Sequence, residues 1–165
     1  MKRILSILFV AALIFANGIP VRSQNIQDLQ TLVNLIFQKK KSKESSFPDL
    51  SIKDNLVDNL IKEGYFLVSD NKTDNGFEYK LKGHDMEVNV ECTQDNEPIY
   101  LQINLSDIKS RDWLVNECIG MGFNEEERTY KNLNGGPDTH ARYLWNLQME
   151  MSWEDTAVSF SYTWG

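Results

Sequence analysis

The sequence predicts an α+β fold: a tandem helix-plus-antiparallel-meander repeat forming one continuous antiparallel sheet with helices on one face. Three observations predict it. Residues 54–65 occur twice; moved along by 58 positions they lie over residues 112–123, with Asp, Leu, Val, Ile and Gly recurring in place and an aromatic after each Gly. A period in this range marks repeated structural units. The segments that follow each copy alternate apolar and polar residues with period two, the pattern of strands with one buried and one wet face. Turn chemistry separates those segments, at Asp74-Asn75-Gly76, at Lys82-Gly83-His84-Asp85 and at Asp95-Asn96-Glu97-Pro98.

Residues 1–23 read as a signal peptide. Lys2 and Arg3 supply its positive end, and residues 4–16 form an apolar run too short to span a bilayer comfortably. Cleavage is expected before Gln24, which makes the chain exported, periplasmic or secreted, with no stable membrane anchor afterwards. Removal takes Lys2, Arg3 and Arg22 and no acid, so the formal charge goes from −7 to about −10. Nucleic acid, which proteins bind by neutralising phosphates, is excluded as a partner on that ground. So is an anionic membrane surface, and a basic protein is compatible with the surplus acid.

Residues 24–50 are expected to form an N-terminal helix and linker. Ile26, Leu29, Val33, Ile36 and Phe37 give a helical stripe over residues 24–41, with Lys39, Lys40 and Lys41 at its end, where cations are favoured. Residues 42–48 read as a polar linker, closed by Phe47-Pro48.

Residues 51–106 form the first repeat unit. Leu56, Val57, Leu60 and Ile61 make one apolar stripe, Ser51 suggests a capping-box start, and Gly64 a left-handed helix end. Strands are expected at residues 65–69, 77–81, 86–92 and 99–105. Residues 107–165 repeat the order. Their helix carries Leu114, Val115, Cys118 and Ile119 from a start at Asp107 or Ser110, and ends at Gly122. A short strand is expected from Phe123 and another over residues 129–133. Residues 143–153 read as one long alternating strand and residues 158–164 as the last. The repeat is expected to extend into the strands, pairing Tyr79-Lys80 with Tyr130-Lys131, and residues 88–91 with 147–150 at an offset of 59.

The outward parity of these strands is polar. It carries the candidate binding residues Glu87, Glu91, Tyr100, Gln102, Asn146, Gln148 and Glu150. Cys92 and Cys118 both fall on apolar parity. Two cysteines in an exported chain suggest a disulfide between the units, worth about 3 kcal/mol in the chain-entropy model; the alternative is two buried free thiols. His84 and His140 stand beside turns, and no two metal-ligating residues have the spacing of a metal pair. Residues 70–76 are acidic, but Lys72 and Asn75 break the calcium-loop pattern, and a hairpin loop is the expectation. There is no phosphate-cradling Gly loop, no nucleophile elbow and no zinc helix in the chain. No catalytic residue, metal or cofactor is therefore assigned, and the chain reads as non-enzymatic.

With the junctions Gly64-Tyr65 and Gly122-Phe123 and the tandem order on the page, the chain resembles β-lactamase-inhibitor-protein-like domains and the PepSY-like exported proteins. The resemblance is one of architecture, over residues 25–165, with a shorter repeat than the inhibitor's. It implies a saddle of two units whose open sheet face holds another protein, as an inhibitor or immunity factor would. The inhibitor's two disulfides cannot exist here with two cysteines. A periplasmic sensor or carrier of a small ligand or peptide is the alternative.

Overall fold

The computed structural model describes residues 25–40, 49–123, 127–130, 138–144 and 146–163. The expected signal peptide, the polar linker over residues 42–48 and the loop around residues 134–137 lie outside them.

The first element is helix α1 (Ile26–Ile36). Asn25 caps it, its side chain accepting from the Gln27 N–H at 3.1 Å, and Leu29, Leu32, Val33 and Ile36 form its buried stripe. The helix stops five residues earlier than the Lys run suggests. Phe37 turns extended and puts its ring 5.2 Å from that of Phe160 and 6.1 Å from that of Phe123. Burying that ring against two others outweighs another helical turn of exposed lysines. Residues 37–40 become strand β1 (Phe37–Lys40), paired antiparallel with β2 (Asp49–Ile52). Lys53 then closes the end of α1, its backbone N–H donating to Ile36 O at 2.8 Å and its Nζ to Asn34 O at 2.7 Å. Ser51, expected to start the next helix, is a buried residue of β2 instead.

The two copies of the repeated stretch are helices α2 (Leu56–Lys62) and α3 (Ile108–Gly120). Asn55 precedes the first. Asp107 caps the second, accepting from the Ser110 N–H at 2.8 Å. Both end in the same way. The N–H of Tyr65 reaches back to Leu60 O at 3.0 Å, and that of Phe123 to Cys118 O at 3.1 Å. Gly64 and Gly122 between them hold φ of 98° and 113°. This six-to-one bond around a left-handed Gly is the Schellman ending. It turns each following aromatic inward; Tyr65 and Phe123 are both buried.

Each helix leads into a four-stranded meander. The first is β3 (Phe66–Lys72), β4 (Gly76–Gly83), β5 (Met86–Thr93) and β6 (Pro98–Asn104). The second is β7 (Glu127–Tyr130), β8 (Thr139–Leu144), β9 (Leu147–Met151) and β10 (Ala157–Tyr162). They join at their last strands into one antiparallel sheet of order β3-β4-β5-β6-β10-β9-β8-β7. At the seam Leu101 pairs with Phe160, two residues 59 apart, and Tyr100 with Ser161 and Gln102 with Ser159 on either side. That register maps onto itself when 59 is added to one strand and subtracted from the other. The Leu101–Phe160 pair therefore sits on a pseudo-two-fold axis through the sheet.

Residues 143–153 are not one strand. They form the β8–β9 hairpin, with Leu144 paired to Leu147 and the chain reversing at Asn146. Leu144 and Leu147, three positions apart, share the core face, so inward parity switches across the reversal, and Tyr143, expected on the parity of Leu147, pairs with Gln148 instead. Residues 88–91 and 147–150 do correspond: Val90 pairs with Leu101, and Met149 with Phe160. Tyr79 and Tyr130 do not, because Tyr79 lies on the second strand of its unit and Tyr130 on the first strand of the other.

One face of the sheet carries Leu81, Val88, Val90, Leu101, Ile103, Leu147, Met149, Val158 and Phe160, all buried. The helices cover that face, with α1 packed against both α2 and α3 and α3 against β10. Each fully buried side chain of this kind contributes about 1.5–3 kcal/mol relative to exposure, which makes this shared layer the main source of stability.

Candidate functional site

The opposite face has no helix over it among the described residues, and its polar side chains align in three cross-strand rows. The first runs Lys82, Glu87, Asn104. The second runs Lys80, Asn89, Gln102, Ser159, Glu150. The third runs Glu78, Glu91, Tyr100, Ser161, Gln148. Six of the seven candidate residues thus share one surface. Asn146 does not lie in a row; it sits in the β8–β9 turn at the rim, where its carbonyl accepts from the Thr163 N–H at 2.7 Å.

The charges on this face are unevenly compensated. Glu87 takes both lysines, Lys80 Nζ at 2.7 Å and Lys82 Nζ at 3.2 Å, and Asn104 donates to it at 3.4 Å. The hydrogen bond from Lys80, with that from Lys82 behind it, holds its carboxyl below the usual carboxylate range. Around Tyr100 the balance is different. Glu78 and Glu91 stand directly opposite each other, a like-charge pair that disfavours the free sheet. Among the described residues no cation reaches either of them or Glu150. Gln148 donates to Glu150 from two positions away. Partial burial pushes the Tyr100 hydroxyl up in pKa, a hydrogen bond with Ser159 opposes this, and Glu91 and Glu150 push it further up.

Among the described residues, two shallow hollows open on the same face. One, of about 300 Å³, is lined by Gln102, Thr139, Glu150, Asp155 and Ser159. The other, of about 460 Å³, is lined by Phe66, Lys82, His84, Glu87 and Asn104.

The remaining candidates are dispersed. His84 occupies the β4–β5 turn with φ of 52°, its Nε2 3.1 Å from Glu63 O and its ring against Tyr65. His140 lies on β8 in the other unit, its ring 5.4 Å from that of Trp153. The expected disulfide is not formed: Cys92 and Cys118 are buried free thiols. Cys92 is fixed at the end of β5 opposite Phe77 and Pro98, and Cys118 on the buried stripe of α3, so inward parity placed them in one core without pairing them. Burial pushes the Cys92 thiol up to about 11 and the Cys118 thiol further. Such thiols are poor nucleophiles.

Arg111 escaped the sequence reading, because a lone Arg on a helix reads as surface. It is 2% exposed, and Nη1 donates to Ser152 O at 2.9 Å and Asp155 O at 2.7 Å. This fixes the β9–β10 turn at the edge of the smaller hollow. Glu78 was also left out of the candidate set, although its alternation with Tyr79 already placed it outward.

A scan against protein-family models and searches of curated proteins and of solved structures find no match to this chain.

Proposed function

We propose that this chain is an exported, non-enzymatic protein-binding module, of inhibitor or immunity type, that holds its partner on the open sheet face. The observation that carries the reading is the charge arrangement on that face. Carboxylates that meet no cation among the described residues surround a half-buried tyrosine at the centre of an eight-stranded sheet, while Lys80 and Lys82 are already paired with Glu87. Rows of amides, hydroxyls and one aromatic suit a wet, hydrogen-bonded protein interface. The likeness to saddle-shaped inhibitor domains supports the same reading. The test is capture of a partner from envelope and culture-fluid extracts by the native protein and by Tyr100→Ala. A protein held by the first and released by the second supports the proposal. A protein held equally by both would overturn the assignment of this face.

The hollow beside Phe66 and His84 favours one second reading, a carrier of a small ligand or peptide, since its volume is within the range of small-molecule sites. That reading expects a compound whose binding raises the melting temperature and is lost in Phe66→Ala.

A further inference from the structure

The pseudo-two-fold axis at Leu101 and Phe160 relates more than core positions. An offset of 59 carries Asn89 to Gln148 and Glu91 to Glu150, so each unit places an amide and a carboxylate at the same two points of the open face. Packing does not demand this. Glu91 is exposed and Glu150 half-exposed, and neither touches the core. The two carboxylates lie three strands apart, on β5 and β9, which is roughly 15 Å at the spacing of neighbouring strands. Between them, on β6, lies Tyr100, next to Glu91 in its row. On the same face Lys80 and Lys82 are spent on Glu87.

We infer that the partner presents an extended, basic segment with two arginines four residues apart, one set against Glu91 and stacked on Tyr100, the other against Glu150. This rests on the open face being the binding face and names what that face selects. In an extended chain, residues four apart point the same way and lie about 13 Å apart, which side-chain reach extends to the carboxylate separation. Guanidinium suits the site better than ammonium. It pairs in a planar fork with a carboxylate and stacks on an aromatic ring. A second copy of this chain is disfavoured on the same surface, because it would bring carboxylates against carboxylates.

The probe is a synthetic capped peptide of alternating Ser and Thr with Arg at its first and fifth positions, titrated into the protein at low salt and followed by fluorescence anisotropy. Peptides with Gln at both positions, and with the two Arg adjacent, are the comparisons. The expected result is binding of the spaced peptide, weakened about fivefold by Glu91→Gln and by Glu150→Gln alike, and more by both together. Tyr100→Ala is expected to weaken it and Tyr100→Phe to leave it unchanged. Glu154→Gln, on the exposed β9–β10 turn, is the control for net charge. Binding that weakens equally in Glu154→Gln, or that does not distinguish spaced from adjacent arginines, overturns the inference. Tyr100-dependent capture of a partner without spaced-peptide binding would leave the protein-binding reading standing and remove this one.

Discussion

The guanidinium of Arg111 lies 5.3 Å from the centre of the Trp153 ring, and between them they fix the turn that leads into β10. Arg111 reaches that turn from the first turn of α3, with Nε donating to Asp112 Oδ1 at 3.0 Å and Nη1 to two backbone carbonyls. The buried cation is therefore held by a carboxylate, two carbonyls and an aromatic ring. Arg111→Met is expected to strand the Ser152 and Asp155 carbonyls and to lower stability by about 2–4 kcal/mol. Arg111→Lys is expected to recover only part, since one ammonium cannot serve the same fork. Urea denaturation measures both; a Met variant within error of the native protein would show that the turn does not depend on this contact.

The elements that were legible in the sequence are those whose signals are local. Leu56 and Leu60, Leu114 and Cys118, and the two Gly-aromatic junctions all specify one short helix and its ending. Alternation at Val88 and Val90, and at Leu147 and Met149, specifies the buried face and with it the outward position of Glu87, Glu91 and Glu150. What could not be read was set by contacts far apart in the chain. Phe37 ends α1 because Phe123 and Phe160 receive its ring. Residues 143–153 reverse at Asn146 with no Gly or Pro, because pairing with β8 and β10 selects that point. Arg111 is buried because a turn some forty residues later closes over it.

The two Schellman endings make a paired prediction. An L-residue at either left-handed Gly is strained, and replacing Gly by Ala there costs about 1 kcal/mol or more. The surroundings differ, however. A Cβ at Gly122 would meet Leu144 Cδ1 at 3.2 Å, whereas one at Gly64 would meet His84 Nε2 at 3.7 Å. Gly122→Ala is therefore expected to be the more destabilising, because a buried leucine must also shift. Thermal melts of the two single variants check the order. Equal losses would mean that backbone strain alone sets the effect.

A tyrosine hydroxyl hydrogen-bonds the N-terminal hairpin to the last strand. Tyr162 Oη accepts from the backbone N–H of Ile52 at 2.9 Å, across 110 positions of chain. Tyr162→Phe keeps the ring and removes the acceptor. An N–H left unpaired in a partly buried setting is expected to cost about 1–2 kcal/mol. The loss should be felt first in β1, β2 and α1, so hydrogen exchange at Ile52 and Lys53 should accelerate more than exchange in β5 or β6. Uniform acceleration across the sheet would instead place Tyr162 in the global core.

Burial of the two thiols fixes a pH dependence. Cys92 titrates near 9.0 when free and is pushed up to about 11 in the folded chain, and Cys118 is pushed further in the same direction. Tyr65 is also raised, first by burial and then by the charges of Asp28 and Glu63. Each of these groups is neutral in its acid form and resists ionisation when folded. The unfolded chain therefore releases protons first. Their contribution is fully present below about pH 9 and is lost as pH rises through the folded values, so stability falls on the alkaline side. Urea midpoints measured from pH 8 to pH 11 should decline, and Cys92→Ala combined with Cys118→Ala should flatten part of that decline while lowering stability at pH 8. Native protein should also react with a thiol-specific disulfide reagent far more slowly than urea-unfolded protein. Rapid labelling of either cysteine at pH 8 under native conditions would contradict the buried placement and reopen the question of a reactive thiol.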